Sequence, residues 1–96
     1  MDHIINKYCP RTKFESYEDF CANFKINTPE NFNFAYDVVD EWARVEPDKL
    51  ALVWTNDEGD VKEYTFADVK RYSDMAANFF RSKGIGKGDV VMAILR

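Results

Sequence analysis

Apolar residues recur at helical spacing in three stretches of this chain. Ala35, Val38, Val39, Trp42 and Ala43 stand at i, i+3, i+4, i+7 and i+8, a stripe that predicts a helix. Asp37, Asp40, Glu41 and Arg44 take its other side as a solvated face, Asn31 or Asn33 can cap its start, and Pro47 stops it. Earlier, Tyr17, Phe20, Cys21 and Phe24 share one face of a short helix. Its start is marked by Ser16-Tyr17-Glu18-Asp19, an S-x-x-D capping box. A second box, Thr65-Phe66-Ala67-Asp68, opens a helix of about 17 residues. Phe66, Val69, Tyr72, Ala76, Phe79 and Phe80 form its buried stripe, and Gly84 suits a left-handed terminator.

Two segments read instead as strands. Leu50-Ala51-Leu52-Val53-Trp54-Thr55 and residues 61–65 flank a polar, glycine-containing turn, which predicts an antiparallel hairpin. Residues 90–95, an unbroken apolar run, suit a strand buried on both faces. Residues 1–15 read as an arm or loop, and residues 16–96 as the folded part. The order helix, helix, β-hairpin, helix, strand makes the fold class α/β. The final strand wants neighbours on both edges and finds only the hairpin. The expectation is therefore a piece of a larger domain, which by itself self-associates through Val90, Val91 and Ile94.

Composition narrows the function classes. Of 96 residues, 46% are hydrophobic and 16% aromatic, which excludes a disordered tail. Seventeen acidic against 13 basic side chains give a net charge of −4, and the basic residues are dispersed, so nucleic acid is not an expected partner. The longest apolar run falls far short of the roughly 20 residues a membrane-spanning helix needs. With no apolar leader in residues 1–15, the expected location is the cytoplasm, with Cys9 and Cys21 as reduced thiols.

Candidate chemistry is sparse. Gly84-Ile85-Gly86-Lys87-Gly88 has a helix before it and a strand after it, the reverse of a phosphate-binding loop. His3, the one histidine, has no metal-ligand partner at useful spacing except Asp2, and nothing orients a Cys9–His3 or Cys21–His3 nucleophilic pair. Ser16 serves as a cap, and Ser73 and Ser82 lie within a helix rather than in a nucleophile elbow. Asp37, Asp40 and Glu41 read as helix surface, and Phe32, Phe34, Trp42, Trp54, Phe79 and Phe80 as core rather than ligand pocket. No catalytic, cofactor-binding or metal-binding residue is nominated.

Three segments together carry a resemblance. Pro47-Asp48-Lys49-Leu50-Ala51-Leu52-Val53, Thr65-Phe66-Ala67-Asp68-Val69 with Ala76-Ala77-Asn78-Phe79-Phe80, and Gly84-Ile85-Gly86-Lys87-Gly88-Asp89-Val90-Val91 resemble the amino-terminal part of the adenylate-forming (AMP-binding) superfamily. Tyr17-Glu18-Asp19-Phe20 and Phe32-Asn33-Phe34-Ala35-Tyr36-Asp37-Val38-Val39-Asp40 are most similar to its acetyl- and medium-chain acyl-CoA synthetase branch. Val69 and Phe80 replace the usual leucines and keep the positions apolar.

The resemblance implies a parent enzyme, active in fatty-acid metabolism, that uses ATP, Mg²⁺ and CoA to convert a carboxylic acid to its acyl-CoA. It implies that residues 16–96 belong to that enzyme's large domain and that the remainder of the synthetase is their partner. The superfamily's nucleotide loop, aromatic-Thr-Glu segment, ribose-binding acidic residue and carboxy-terminal lysine have no match in this sequence. The 96 residues are therefore expected to be inert scaffold. An adenylation domain, or a free-standing interaction module without chemistry, remains open.

Overall fold

A computed structural model describes residues 3–95. The order is α1 (His3–Tyr8), α2 (Tyr17–Asn23), a π-helical stretch (Ala35–Asp40) running directly into α3 (Glu41–Val45), β1 (Leu50–Thr55), β2 (Val61–Thr65) and α4 (Phe66–Ser82). This is a mixed α/β fold whose sheet has two antiparallel strands.

The hairpin forms because its turn is wired by one side chain. Asn56 Oδ1 accepts from the amides of Glu58 and Asp60, and its Nδ2 donates to Asp60 Oδ2 at 2.9 Å. Gly59 supplies the left-handed φ of +88° that closes the turn. Leu52 pairs with Tyr64, Val53 with Glu63 and Trp54 with Lys62. A bulge between Leu50 and Leu52 puts two β1 residues against one on β2 and shifts the register there.

Helix α4 is capped at both ends. Thr65 Oγ1 accepts from the Asp68 amide at 3.2 Å, and Asp68 Oδ2 accepts from the Thr65 amide at 3.0 Å. At the other end, Gly84 takes φ +79°. The Ile85 amide donates to Phe80 O and the Gly84 amide to Arg81 O, the two bonds of a Schellman stop. Trp42 of α3 stacks on Phe66 of α4 with ring centroids 5.6 Å apart, and Lys70 of α4 reaches Asp40 at 3.8 Å. These contacts dock the π-helical stretch and α3 on α4.

Several expectations are corrected. Residues 3–8 of the expected arm are helical, and Ile4 and Tyr8 are the buried hydrophobic residues among those described. Their i, i+4 spacing puts both on one helix face, where Tyr8 meets Phe32 edge-on at 5.3 Å. The Asn27 amide, donating to Tyr8 O at 2.7 Å, ties the segment after α2 to α1.

The expected strand at 90–95 does not form, and those residues carry no regular structure. A strand needs a hydrogen-bonding neighbour, and none is in register for it. Val90 is 94% exposed and Ile94 88%. The stripe on α4 is likewise not buried beyond its first turn: Phe66 and Val69 are half-covered, while Tyr72, Ala76, Phe79 and Phe80 are exposed.

The molecule is open for its mass. A folded monomer of 11.2 kDa exposes roughly 5,700 Å², whereas this chain exposes 8405 Å². Its radius of gyration is 17.4 Å, against about 12.5 Å for a compact domain of this length. Most apolar side chains that the pattern assigned to a core have no layer to pack against.

Candidate functional site

A groove of about 700 Å³ lies between the hairpin and α4, lined by Leu52, Trp54, Tyr64, Val69, Tyr72 and Ser73. Strand alternation builds its floor. Leu52 and Trp54 are two apart on β1, and their cross-strand partners Tyr64 and Lys62 share their face. Helix α4 supplies the wall through Val69, Tyr72 and Ser73. Tyr64 and Tyr72 meet edge-on at 6.0 Å across the junction, and the Lys62 ammonium lies 5.4 Å from the Trp54 ring centre. The other hairpin face is mixed, with Val53 and Val61 exposed beside Glu63 and Thr55.

Ser73 is the one hydroxyl of a non-aromatic residue in the lining, and the lining holds no His, Cys, Asp or Glu. A second, more polar recess of about 400 Å³ lies beside α3 and α4, bordered by Lys70, Arg71, Asp74 and Asn78 among others. Its charges are paired: Lys70 bonds Asp74 at 2.8 Å, which raises the lysine's proton affinity, and Arg71 approaches Asp68 at 3.6 Å.

The residues weighed from sequence are dispersed. Asp37, Asp40 and Glu41 are half-buried rather than solvated, because the wide π-helical turns spread the covered face around the axis. Each has a structural partner. Asp37 Oδ2 accepts from the Asn33 amide at 2.8 Å, Asp40 faces Lys70, and Glu41 holds Arg44 at 2.6 Å. Asn33 is the cap, its Oδ1 accepting from the amides of Ala35 and Tyr36. Cys9 is half-buried and Cys21 exposed, both as free thiols. Among the described residues no three His, Cys, Asp or Glu side chains gather as a metal site.

The glycine loop is occupied by its own chain. Gly86 N donates to Asp89 Oδ2 at 2.7 Å, and the Asp89 amide donates back to Gly86 O at 3.1 Å. A carboxylate of the same chain thus sits on the Gly86 amide. Sequence reasoning assigned Trp54 to a core and passed over the groove. The alternation of Leu52 and Trp54 was its one visible signal.

Residues 39–96, more than half of the chain, match the family model described as AMP-binding enzyme. The chain belongs to this family. Human mitochondrial acyl-coenzyme A synthetase ACSM3 is 32% identical over 97% of this chain and 17% of its own length. Human ACSM4 is 38% identical over 80% of the chain and 15% of its own length, and rat ACSM5 37% over 74% and 13%. The acyl-CoA synthetase resemblance read from the motifs thus stands, and similarity reaches upstream of residue 39. The chain spans about a sixth or less of the length of these AMP-binding relatives.

The cytoplasmic expectation is overturned, since all three relatives are named as mitochondrial proteins. It rested on finding no apolar leader. That criterion detects secretory leaders and is blind to the amphipathic, arginine-rich segments that direct proteins to mitochondria.

Proposed function

We propose that this chain is an amino-terminal scaffold of an AMP-forming acyl-CoA synthetase. The parent reaction joins a carboxylic acid to CoA while ATP is cleaved to AMP and pyrophosphate. The observation that carries the reading is the uncovered apolar surface. Leu52 and Trp54 on the groove face of the hairpin, Val53 and Val61 on its other face, and the outer stripe of α4 are exposed apolar side chains with no layer over them. Relatives about six times longer, all named acyl-CoA synthetases, supply the kind of polypeptide that would cover them.

ATP, Mg²⁺ and CoA belong, on this reading, to the remainder of the synthetase. No reaction step is assigned to the residues described here. The compartment follows the relatives, so the parent is placed in mitochondria.

The test compares two polypeptides. A longer protein that includes this chain is expected to catalyse carboxylate-dependent exchange between ATP and pyrophosphate and then to acylate CoA. Acylation of a carrier domain in place of CoA would instead mark an adenylation domain. The 96-residue chain is expected to show no heat of ATP binding by calorimetry, and micromolar binding would overturn the scaffold assignment.

A further inference from the structure

Strand β1 has one partner, β2, and its outer edge presents unpaired backbone amides and carbonyls. Natural edge strands are protected by charges, prolines or covering loops. The β1 sequence Leu50-Ala51-Leu52-Val53-Trp54-Thr55 has no charge and no proline, whereas β2 carries Lys62 and Glu63. Of the two edges, β1 is the unguarded one.

The same chain holds a segment that matches it. Residues 90–95 equal β1 in length, and about 20 Å of extended chain lies along each. The segment is free of charge, proline and glycine, is exposed, and has β-branched residues at Val90, Val91 and Ile94. Bringing the two together desolvates no ion.

The chain does not make this pairing with itself. The reciprocal Gly86–Asp89 hydrogen bonds, flanked by the left-handed Gly84 and Gly88, fix the direction in which the chain leaves α4. Residues 90–95 are exposed and carry no regular structure, so the strand is free to be given to a second copy. The exposed area exceeds that of a compact monomer by roughly 2,700 Å² per chain, more than the roughly 1,600 Å² a standard interface buries in total.

We propose that two copies of this 96-residue chain form a reciprocal dimer in which residues 90–95 of each add as a third strand to the β1 edge of the other. The added strand extends the sheet sideways and gives Leu52 and Trp54 apolar neighbours along their outer flank. Two identical exchanges close the assembly by a twofold axis and leave no open edge for a fibre. Each copy carries net charge −4, so salt, by screening their repulsion, tightens the dimer. The inference is independent of the reaction proposed above, since it concerns the 96 residues alone.

The test is sedimentation equilibrium of the chain and two variants, with circular dichroism to check that each is folded. Ile94→Lys charges the donated strand at a fully exposed position, and Leu52→Lys charges the receiving side. Each is expected to raise the dimer dissociation constant at least tenfold. An equimolar mixture is expected to recover dimer, because one intact edge and one intact strand remain between unlike copies. A monomer at every concentration up to millimolar would overturn the proposal, as would a dimer unchanged by Ile94→Lys. With both variants folded by circular dichroism, failure of the mixture to recover dimer would overturn the reciprocal arrangement; were Leu52→Lys unfolded, the dissociation constant of Ile94→Lys alone decides.

Discussion

Arg11 grips Asp19 through two parallel hydrogen bonds, Nη1 to Oδ1 at 2.9 Å and Nη2 to Oδ2 at 2.6 Å. The pair latches the segment before α2 onto the helix's first turn, and the same guanidinium lies over the Phe14 ring at 4.7 Å. Asp19 also accepts from the Glu15 amide and from Asn23 Nδ2. The Glu15 amide is the largest influence, followed by Arg11 and Asn23, and together they lower its pKa from 3.8 to about 2.

The sign of the resulting pH dependence follows. Asp19 gives up its proton more readily in the folded chain than in the unfolded one, so its contribution is complete above the unfolded value near pH 4. It is lost as the pH falls toward 2. Carbon-detected NMR titration of the Asp19 carboxyl should return a midpoint near 2, and Arg11→Ala should move it back toward 4. Arg11 is exposed and Asp19 half-buried, so high salt should shrink the part of the shift that Arg11 supplies.

Thr65→Ala removes the hydroxyl that accepts the Asp68 amide and should cost about 1 kcal/mol. Thr65→Ser, which keeps the oxygen, should recover most of it. Urea titration followed by the helix signal of α4 measures both, and equal losses in the two variants would mean that the cap is not what the hydroxyl contributes.

The two glycines after α4 should answer differently to alanine. Gly84 holds φ +79° in the Schellman stop, so Gly84→Ala should destabilise by about 1 kcal/mol. Gly86 is not left-handed, and a methyl there meets no atom within 4 Å. Gly86→Ala should therefore leave the urea midpoint unchanged or raise it slightly.

Trp42→Ala should loosen α3 from α4 by roughly 2 kcal/mol, since it deletes the ring that stacks on Phe66. Hydrogen exchange should rise in residues 41–45 while the hairpin amides keep their protection. A uniform rise across the chain would instead mean that the whole molecule unfolds as one unit.

The local signals were the legible ones. The Thr65–Asp68 box, the Gly84 stop and the Gly-containing hairpin turn each depend on residues within five positions, and each is readable from spacing. The Ser16 box formed only in part. Ser16 Oγ accepts from the Asp19 amide, but Asp19 turns its carboxylate to Glu15 and Arg11 instead of to Ser16. Spacing does not show which of two amides a carboxylate will choose.

The misses involve partners distant in sequence or absent. Residues 90–95 have strand composition, but a strand is a property of a pair. Helix α1 was passed over because six residues make too short a stretch for periodicity to register, although Ile4 and Tyr8 carried the signal at i, i+4. The π-helical turns were invisible because the stripe of Ala35, Val38, Val39, Trp42 and Ala43 satisfies ordinary helical spacing too. For the groove, composition announced apolar surface without telling a core from a face awaiting cover.

The openness of the fold has a consequence for how such a chain is made in a cell. Ribosomes deliver polypeptide from the amino terminus at about 5–20 residues per second. Where longer polypeptide follows, these residues spend many seconds with greasy surfaces bare. Holdase chaperones that recognise exposed apolar segments should engage this stretch during translation, and aggregates should appear when elongation stalls just beyond it.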